Sequence, residues 1–319
     1  MNRRIAAASG PDDRDGGFAL VMVLLFLLTV TALITPMVLA ARTEFLIAAN
    51  RYRHDRMEMV AEGLVAVLAR QLAAPPIEGR SPGLTIRSAP MRCRAGGLEI
   101  EARVQDQRGL VDLNAAEPDL LEAGFVALGF ERSPAARLAQ AVVAFRFSPE
   151  EEEEEGDASP DRGADQAAGA VLGGPKGGPF EAIEELYDFR DLRGVPAQAI
   201  AETFTVHNRR ETVHGPGLSQ RLSLILPATP TPRYPFVVDA PEEAPRTYRI
   251  EVSAGVAGAG AGGFAGAVVL ADEDGHFEIV EGVTNPDFLP DGQDGFSGAT
   301  DCDRVFGTGV AAVLAGMPG

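Results

Sequence analysis

The sequence predicts an α+β protein in which a long N-terminal helix leads into strands with helices inserted among them. An apolar run without a charged side chain occupies residues 18–41. Apolar residues then recur at helical spacing to about residue 73. Further along, residues with strand-like alternation flank a helical region on both sides. Strands on either side of helices favour an α/β domain that is interrupted by an inserted helical domain.

The apolar run from Phe18 to Ala41 is long enough to cross a membrane. As a helix it would extend about 36 Å, against a hydrocarbon core of about 30 Å. The apolar core of a secretory signal has roughly 7 to 15 residues, so this run is too long for one. Pro36 lies inside it and predicts a kink, not a break. Arginines precede and follow the run, so the positive charges do not fix its orientation.

The helix is predicted to continue beyond the membrane as an amphipathic half, residues 42–74. The apolar stripe consists of Met57, Val60, Leu64, Val67, Leu68 and Leu72. Pro75 and Pro76 end the pattern, because proline cannot continue a helix. The whole helix would be roughly 80 Å long.

Period-two alternation predicts strands in two separate parts of the chain. The first strand is Leu98 to Gln105. The others are residues 248–256, 264–272 and 276–283, the last two joined by a turn that contains an Asp-Gly pair. That pair is a strong hairpin signal.

Between these strands the sequence predicts an inserted all-helical domain. The first helix has Asn114 as a candidate N-cap and Pro118 in its first turn, and the second has Ser133 as cap and Pro134 at its first position. Two more helical stretches cover residues 179–192 and 195–206. A loop with six consecutive glutamates, residues 149–179, is typical of flexible acidic segments.

Composition argues against nucleic acid as a partner. The formal net charge is -18, and phosphate binding needs clustered lysine and arginine. The stretches GLVDLNAAEPDLLEAGFVALGF and GPFEAIEELYDFRDLRGVP resemble helix-hairpin-helix modules, which bind DNA. The hairpin position carries GFERSPAAR, without lysine, and the neighbouring loop is polyglutamate. We therefore expect a helical fold that contacts proteins.

No catalytic or zinc-binding motif occurs in the sequence, and we expect no enzymatic activity. The four histidines are scattered without metal-ligand spacing. The two cysteines, Cys93 and Cys302, are either free thiols or joined in one long-range bridge.

Calcium is the one cofactor that the sequence leaves open. Acidic residues offer the oxygen ligands that calcium prefers, although aspartate also serves simply to form turns and to hydrate a surface. The candidates are Asp272, Asp274, Asp287, Asp291, Asp294, Asp301 and Asp303, with the acidic loop.

Four segments together resemble a known family. GGFALVMVLLFLLTVTALI is similar to a type III prepilin signal, and AEG at residues 61–63 lies in a helix like the first helix of that family. GLVDLNAAEP is similar to a strand that leads into an inserted domain. TYRIEVSAG and AVVLADEDGHFEIVE are similar to a final sheet. The chain resembles the type II secretion system minor pseudopilins of the K type, often called GspK.

The resemblance implies a division of the chain. Residues 1–17 would be the prepilin leader, 18–41 the transmembrane half of the helix and 42–74 its periplasmic half. The pseudopilin α/β domain would comprise 75–112 and 234–284, with the inserted helical domain at 113–233. A Gly/Asp-rich tail would follow at 285–319.

The resemblance also implies sites and partners. A prepilin peptidase in the inner membrane would cut after Gly17, and the new N-terminal Phe18 would be N-methylated. Most pilins have glutamate at the fifth mature position, where this chain has Met22. A carboxylate in the bilayer costs about 2.5 to 3.5 kcal/mol and needs a partner. Met22 therefore favours a subunit at the filament tip, assembled with minor pseudopilins of the I and J types.

Two alternatives remain at the level of sequence. A minor pilin of a type IV pilus shares the signal and the long helix, but is not expected to carry the inserted domain. A membrane-anchored periplasmic enzyme or binding module would keep its N-terminal segment uncut. The exported substrates are not encoded in any motif.

Overall fold

Helix α1, Gly16–Ala73, is one continuous helix that passes through Pro36. A computed structural model describes residues 16–74, 86–146, 174, 176–239, 246–256, 262–272, 276–283 and 300–317. These fall into two compact units, divided between Arg53 and His54. As predicted, Pro36 does not end α1. The helix ends at Ala73, shortly before the Pro75-Pro76 pair in the sequence.

In the described part of the chain, the strands are β1 (Arg87–Ala95), β2 (Leu98–Asp106), β3 (Val111–Asp112), β4 (Phe204–Thr205), β5 (Val213–His214), β6 (Val237–Val238), β7 (Arg246–Val256), β8 (Gly262–Ala271), β9 (Phe277–Val283) and β10 (Thr300–Asp301). The other helices there are α2 (Pro118–Ala127), α3 (Arg132–Arg146), α4 (Ala197–Ala201), α5 (Asp303–Phe306) and α6 (Thr308–Ala315).

Six of these described strands form the main sheet, in the order β10-β1-β2-β7-β8-β9. The pairs from β1 to β9 are antiparallel, whereas β10 lies parallel to β1. Strands β2 and β7 are neighbours, with Asp106 opposite Tyr248. The long insertion therefore leaves and re-enters the sheet at adjacent points.

The last turns of α1 cover one face of this sheet. Met57, Leu64 and Leu68 are buried there against the inward-facing residues of β2 and β7, such as Ile100 and Val252. Alternate residues of a strand point to opposite faces, which explains why Leu98 to Val104 supply the core at every second position. The predicted stripe is wider than this core, because Val60 and Val67 are only half-buried.

The insertion has a hydrophobic core of its own, separate from the core between α1 and the sheet. Helices α2 and α3 pack around Phe125, Leu138 and Val142. The α+β fold class is confirmed, with a long helix that leads into a mixed helix and sheet domain, but the prediction that the insertion is all-helical is wrong. Two short parallel pairs, β3-β4 and β5-β6, add to the helices.

Several local predictions inside the insertion are wrong. Helix α2 begins after Glu117, so Asn114 is not its N-cap, although Pro118 takes the first helical position. Helix α3 begins at Arg132, which places Ser133 inside the first turn. The stretch 179–192 forms two short 3-10 helices, Ile183–Asp188 and Arg190–Leu192. The apolar residues that pack into the core recur at every third position in this stretch, which is the spacing of a 3-10 helix and not of one regular α-helix. Only Ala197–Ala201 of the last predicted stretch is helical.

The described end of the tail is folded onto the sheet. Cys302 is bonded to Cys93 of β1, and Val305, Phe306 and Leu314 are buried in the core beneath α1. Of the two alternatives for the cysteines, the structure has the bridge.

Candidate functional site

The first feature of functional interest is the apolar part of α1. Within the unit that ends at Arg53, the side chains from Phe18 to Leu39 are exposed, apart from the half-buried Val30. Among the described residues, α1 is the helix that is long and apolar enough to cross a membrane, by length and composition. A surface of this kind in water is unfavourable by about 25 cal/mol for each Å², so it requires lipid or protein around it.

The hydroxyl groups in this part of α1 are satisfied inside the helix. Thr31 donates to the carbonyl of Leu27 at 2.8 Å, and Thr35 donates to the carbonyl of Thr31 at 2.7 Å. Thr29 and Thr43 bond in the same manner to Phe26 and Leu39. A hydroxyl that is bonded in this way has a much smaller free-energy cost of transfer into hydrocarbon than an unpaired hydroxyl has. The segment is therefore chemically suited to an apolar environment over its whole length.

The predicted processing junction lies at the start of this helix. Gly17 is in the first turn of α1, and Phe18 and Met22 are exposed on the following turns. The leader before residue 16 lies outside the described residues. Cleavage after Gly17, methylation of Phe18 and the meaning of Met22 stay predictions.

The second feature is the seam between the sheet and the insertion, which is polar. Arg103 of β2 lies 3.4 Å from a carboxylate oxygen of Glu202 in the insertion and 3.7 Å from one of Glu251 in β7. Glu251 also pairs with Arg249 at 3.0 Å, and its side chain is almost fully buried. His207 of the insertion is bonded to Glu281 of β9. The ion pair between Arg103 and Glu202 and the bond between His207 and Glu281 hold the two parts together here, between two separate apolar cores.

The segment DLNAAEP is a structural junction inside the insertion. The Asp112 carboxylate is fully buried, and it accepts backbone N–H bonds from Asn114, Ala115 and Arg209 at 2.7 to 2.9 Å. Burial raises the pKa of this carboxyl, and those N–H donors oppose the rise. Asn114 both donates to and accepts from the backbone of Phe180, at 2.9 and 2.7 Å. The segment thus joins parts of the insertion that are far apart in sequence.

Sequence reasoning missed this role because the partners are remote. Asn114 has the residue type and position of an N-cap. Nothing near it in the sequence indicates that its side chain bonds to the backbone of Phe180. The same holds for Arg146, whose guanidinium donates to the carbonyls of Leu113 and Ala116 at 2.8 and 3.0 Å. Burial lowers the pKa of Arg146.

The described residues do not bring the predicted metal candidates together. No group of three or more His, Cys, Asp or Glu side chains there is arranged to hold a metal ion. Asp274, Asp287, Asp291 and Asp294, and the acidic loop apart from its described end residues, lie outside the described residues. Each histidine has a separate partner: Gly262 for His54, Glu281 for His207, Asp239 for His214 and Asp272 for His276. Calcium binding stays a prediction.

Comparison with solved structures gives a structural likeness, whereas the comparisons at the level of sequence give none. No protein-family model matches the sequence, and no curated protein matches it. The chain is similar to one chain in the crystal structure of the GspK-GspI-GspJ complex from the type 2 secretion system of enterotoxigenic Escherichia coli. The two are 14% identical, over 77% of this chain and 99% of that chain, with a TM-score of 0.45. At this identity and score we draw no conclusion from the likeness.

Proposed function

We propose that this protein is a minor pseudopilin of a type II secretion system, of the K type, and that it caps the pseudopilus tip. Helix α1 is the observation that carries the proposal. It begins at a Gly-Gly-Phe junction, is apolar and exposed through its first part, and ends as the core of an α+β domain. A pseudopilin needs such a helix, because its first part must exist in lipid and later in a bundle of helices.

The protein would be anchored in the inner membrane by one span, with its globular part in the periplasm. The Cys93–Cys302 bridge supports a periplasmic location, since disulfides persist in oxidising compartments and are rare in the cytosol. The partners would be the prepilin peptidase and the minor pseudopilins of the I and J types. We assign no catalytic step to the chain.

The tip position is supported by Met22 and by the insertion. In other pilins the carboxylate at the fifth mature position would pair with the N-terminal amine of a neighbouring subunit. A subunit with no subunit above it has no such amine to pair with, so an apolar residue suits the membrane better than a carboxylate. The insertion spans residues between β2 and β7 and has its own core. Its bulk on one side of the sheet suits a subunit that terminates a filament and helps to drive folded substrates outward.

Mass spectrometry of the protein purified from membranes tests the proposal. The expected mature chain lacks residues 1–17 and begins with N-methylated Phe18. Replacement of Gly17 with valine should leave the leader attached, and Gly16→Ala is the matched control that should be processed. An intact N-terminus in the native chain would overturn the proposal and would favour a membrane-anchored enzyme or binding module.

Co-purification separates a secretion subunit from a pilus subunit. The native chain should be recovered from membranes with minor pseudopilins of the I and J types. Recovery with the subunits of a type IV pilus instead would support the alternative function.

A further inference from the structure

A polar pocket lies where the chain passes from the sheet into the insertion. Its volume is about 470 Å³. Its residues come from the end of β2, the turn after β2, the end of β5 and the 3-10 turn Gly215–Gly217. The residues that line it are Ile86, Val104, Gln105, Asp106, Arg108, His214, Pro216, Gly217, Leu218 and Gln220. The lining thus combines apolar side chains with several hydrogen-bonding ones.

Two of these polar side chains have an unpaired acceptor. Gln105 is 6% exposed, and its Nε2 donates to the carbonyls of Asp106 and Gly217 at 2.9 and 3.4 Å. Its Oε1 and the Nδ1 of His214 are buried without a hydrogen-bond partner among the described residues. His214 Nε2 lies 3.1 Å from the carbonyl of Asp239. A carbonyl only accepts, so Nε2 carries the proton of the neutral ring and Nδ1 is an acceptor.

Gly217 keeps space open beside these acceptors. A Cβ at this position would lie 3.0 Å from His214 Nδ1 and 3.6 Å from Asp106 Oδ2. The φ of Gly217 is not in the left-handed region, so its backbone conformation does not require glycine. The absent side chain is therefore what glycine supplies at this point of the pocket.

The carboxylate of Asp106 is a third acceptor in the pocket. Its oxygens accept bonds from three N–H groups of Arg108, the backbone N, Nε and Nη2, at 2.7 to 3.2 Å. A carboxylate offers about four acceptor positions, so one position is left. The charges of Asp106 and Arg108 cancel, which leaves the pocket with hydrogen-bond acceptors and little net charge of its own.

We propose that this pocket binds a primary ammonium group on an aliphatic stem. An ammonium has three donors and no acceptor, which matches Gln105 Oε1, His214 Nδ1 and Asp106 Oδ2. A hydroxyl would place its own lone pairs among these acceptors. The methylenes of the stem can lie against Val104 and Leu218, and the net charge of -18 attracts a cation to the chain.

The ammonium group comes from another molecule. Lys176 is the one lysine in the sequence, and its Nζ lies 2.9 Å from Glu185 and 3.6 Å from Glu181. A lysine side chain of a second protein and a free alkyl diamine share the required chemistry. The inference does not rest on the proposed function, since it concerns a site in the folded domain and not the processing of α1.

NMR titration of the full chain, purified from membranes in detergent, tests the inference. The chain carries ¹⁵N-labelled histidine, and the probe is Nα-acetyl-lysine N-methylamide. We expect one histidine signal to change in a saturable manner, and the same signal to be missing from His214→Gln. The signals of His54, His207 and His276 should stay unchanged, because each of these rings lies outside the pocket.

Two further probes define the ligand chemistry. The same compound acetylated at Nε keeps the stem but loses the charge and two donors, so it should bind about tenfold more weakly or worse. Cadaverine distinguishes the source of the ammonium. Tighter binding of cadaverine than of the lysine compound supports a free amine, and the reverse order supports a lysine side chain.

A pair of glycine substitutions tests the position of the ligand. Gly217→Ala places a methyl group between His214 Nδ1 and Asp106 Oδ2 and should weaken binding about tenfold or more. Gly194→Ala is the matched control, because Gly194 is exposed and a Cβ there would meet no atom within 4 Å. It should bind as the native chain does. Both variants should melt within about 3 °C of the native chain.

The outcomes are decisive without the variants as well. The inference is overturned if no histidine responds at millimolar probe, if a histidine other than His214 responds, or if the acetylated compound binds equally well. A folded Gly217→Ala chain with native affinity would overturn it too. None of these results depends on whether the leader is cut or on which subunits co-purify, so the proposed function is tested separately.

Discussion

At the scale of single residues, the Asp112 carboxylate is fixed by its backbone partners. Its two oxygens accept three backbone N–H bonds, and one of the donors, Arg209, has the unusual φ of +53° for a residue other than glycine. A backbone conformation of that kind persists only when its surroundings fix it. The bond from the Arg209 N–H to Asp112 is one such contact, so the side chain determines the path of a loop nearly 100 positions away.

Replacement of Asp112 with asparagine should lower the free energy of unfolding by about 1 to 3 kcal/mol. The amide can accept the bonds from Asn114 and Ala115, but its NH₂ group would then face the N–H of Arg209, donor against donor. Urea denaturation in detergent measures the change. Asp119→Asn, at an exposed position of α2, is the control and should change stability by about 0.5 kcal/mol or less. Equal effects of the two substitutions would contradict this account of Asp112.

The stability difference between the native chain and Asp112→Asn should depend on pH. Burial raises the pKa of Asp112, although backbone N–H donors oppose the rise. The folded state therefore holds this proton more tightly than the unfolded state does. The stability that the group contributes is complete below the unfolded pKa and is lost as pH rises through the folded pKa. Denaturation from about pH 3 to about pH 7 should show the difference shrinking, and a difference that grows with pH would contradict it.

At the scale of elements, the tail depends on β1 for its position. Within the described residues, strand β10 pairs with β1 at two positions, and the disulfide joins residues 209 apart in sequence. Two short helices cannot form stably alone, since helices shorter than about 12 residues are marginal in water. Helices α5 and α6 thus owe their structure to the bridge and to the apolar core beneath α1.

Replacing both Cys93 and Cys302 with serine should cost about 2 to 5 kcal/mol of stability. The loss should be local first, because the bridge anchors the tail more than the sheet. Hydrogen exchange should accelerate in residues 303–315 before it does in β7. Uniform acceleration across the sheet, or none in the tail, would show that the bridge has another role.

The polar seam makes a separate prediction for two glutamates. Glu251→Ala removes a buried carboxylate that pairs with Arg103 and Arg249, so it should cost about 3 to 5 kcal/mol. Glu281→Ala removes the partly exposed partner of His207 and should cost about 1 kcal/mol or less. Thermal unfolding of the two variants gives the comparison, and a smaller loss for Glu251→Ala would mean that the seam is held by other contacts.

At the scale of the whole molecule, two cores are built from one chain. The sheet core uses α1, the main sheet and the tail, whereas the insertion core uses residues between β2 and β7. Because β2 and β7 are neighbours, the insertion is attached through adjacent strand ends. This arrangement allows the sheet to carry a large insertion without a change in strand order.

A chain in which a short turn replaces residues 107–245 should therefore keep its sheet domain. The surface that this change uncovers carries Arg103, Arg249 and Glu251, and Arg103 and Glu251 can still pair across β2 and β7. Intact-mass analysis without reductant should find the Cys93–Cys302 bridge, and circular dichroism should retain strand signal. Aggregation or a free thiol would show that the sheet needs the insertion in order to fold.

The sequence by itself determined the elements with a regular local pattern. Leu98 to Gln105 alternates strictly and became β2, and the segments starting near Tyr248, Phe264 and His276 became β7, β8 and β9. The extent of α1 followed from apolar spacing and from the proline pair that ends it. In each case the signal lies within a few residues of the structure it specifies, so the chain can be interpreted without knowledge of its contacts.

Only the tertiary structure decided what depends on distant partners. Strand β1 was not predicted, because Arg92 and Arg94 become favourable there only beside Glu101 and Glu99 of β2. The cysteine pairing, the bonds from Asn114 to Phe180 and the fold of the tail have no local signature. Contacts between remote segments are selected by packing of the whole chain, and no short window of sequence records them.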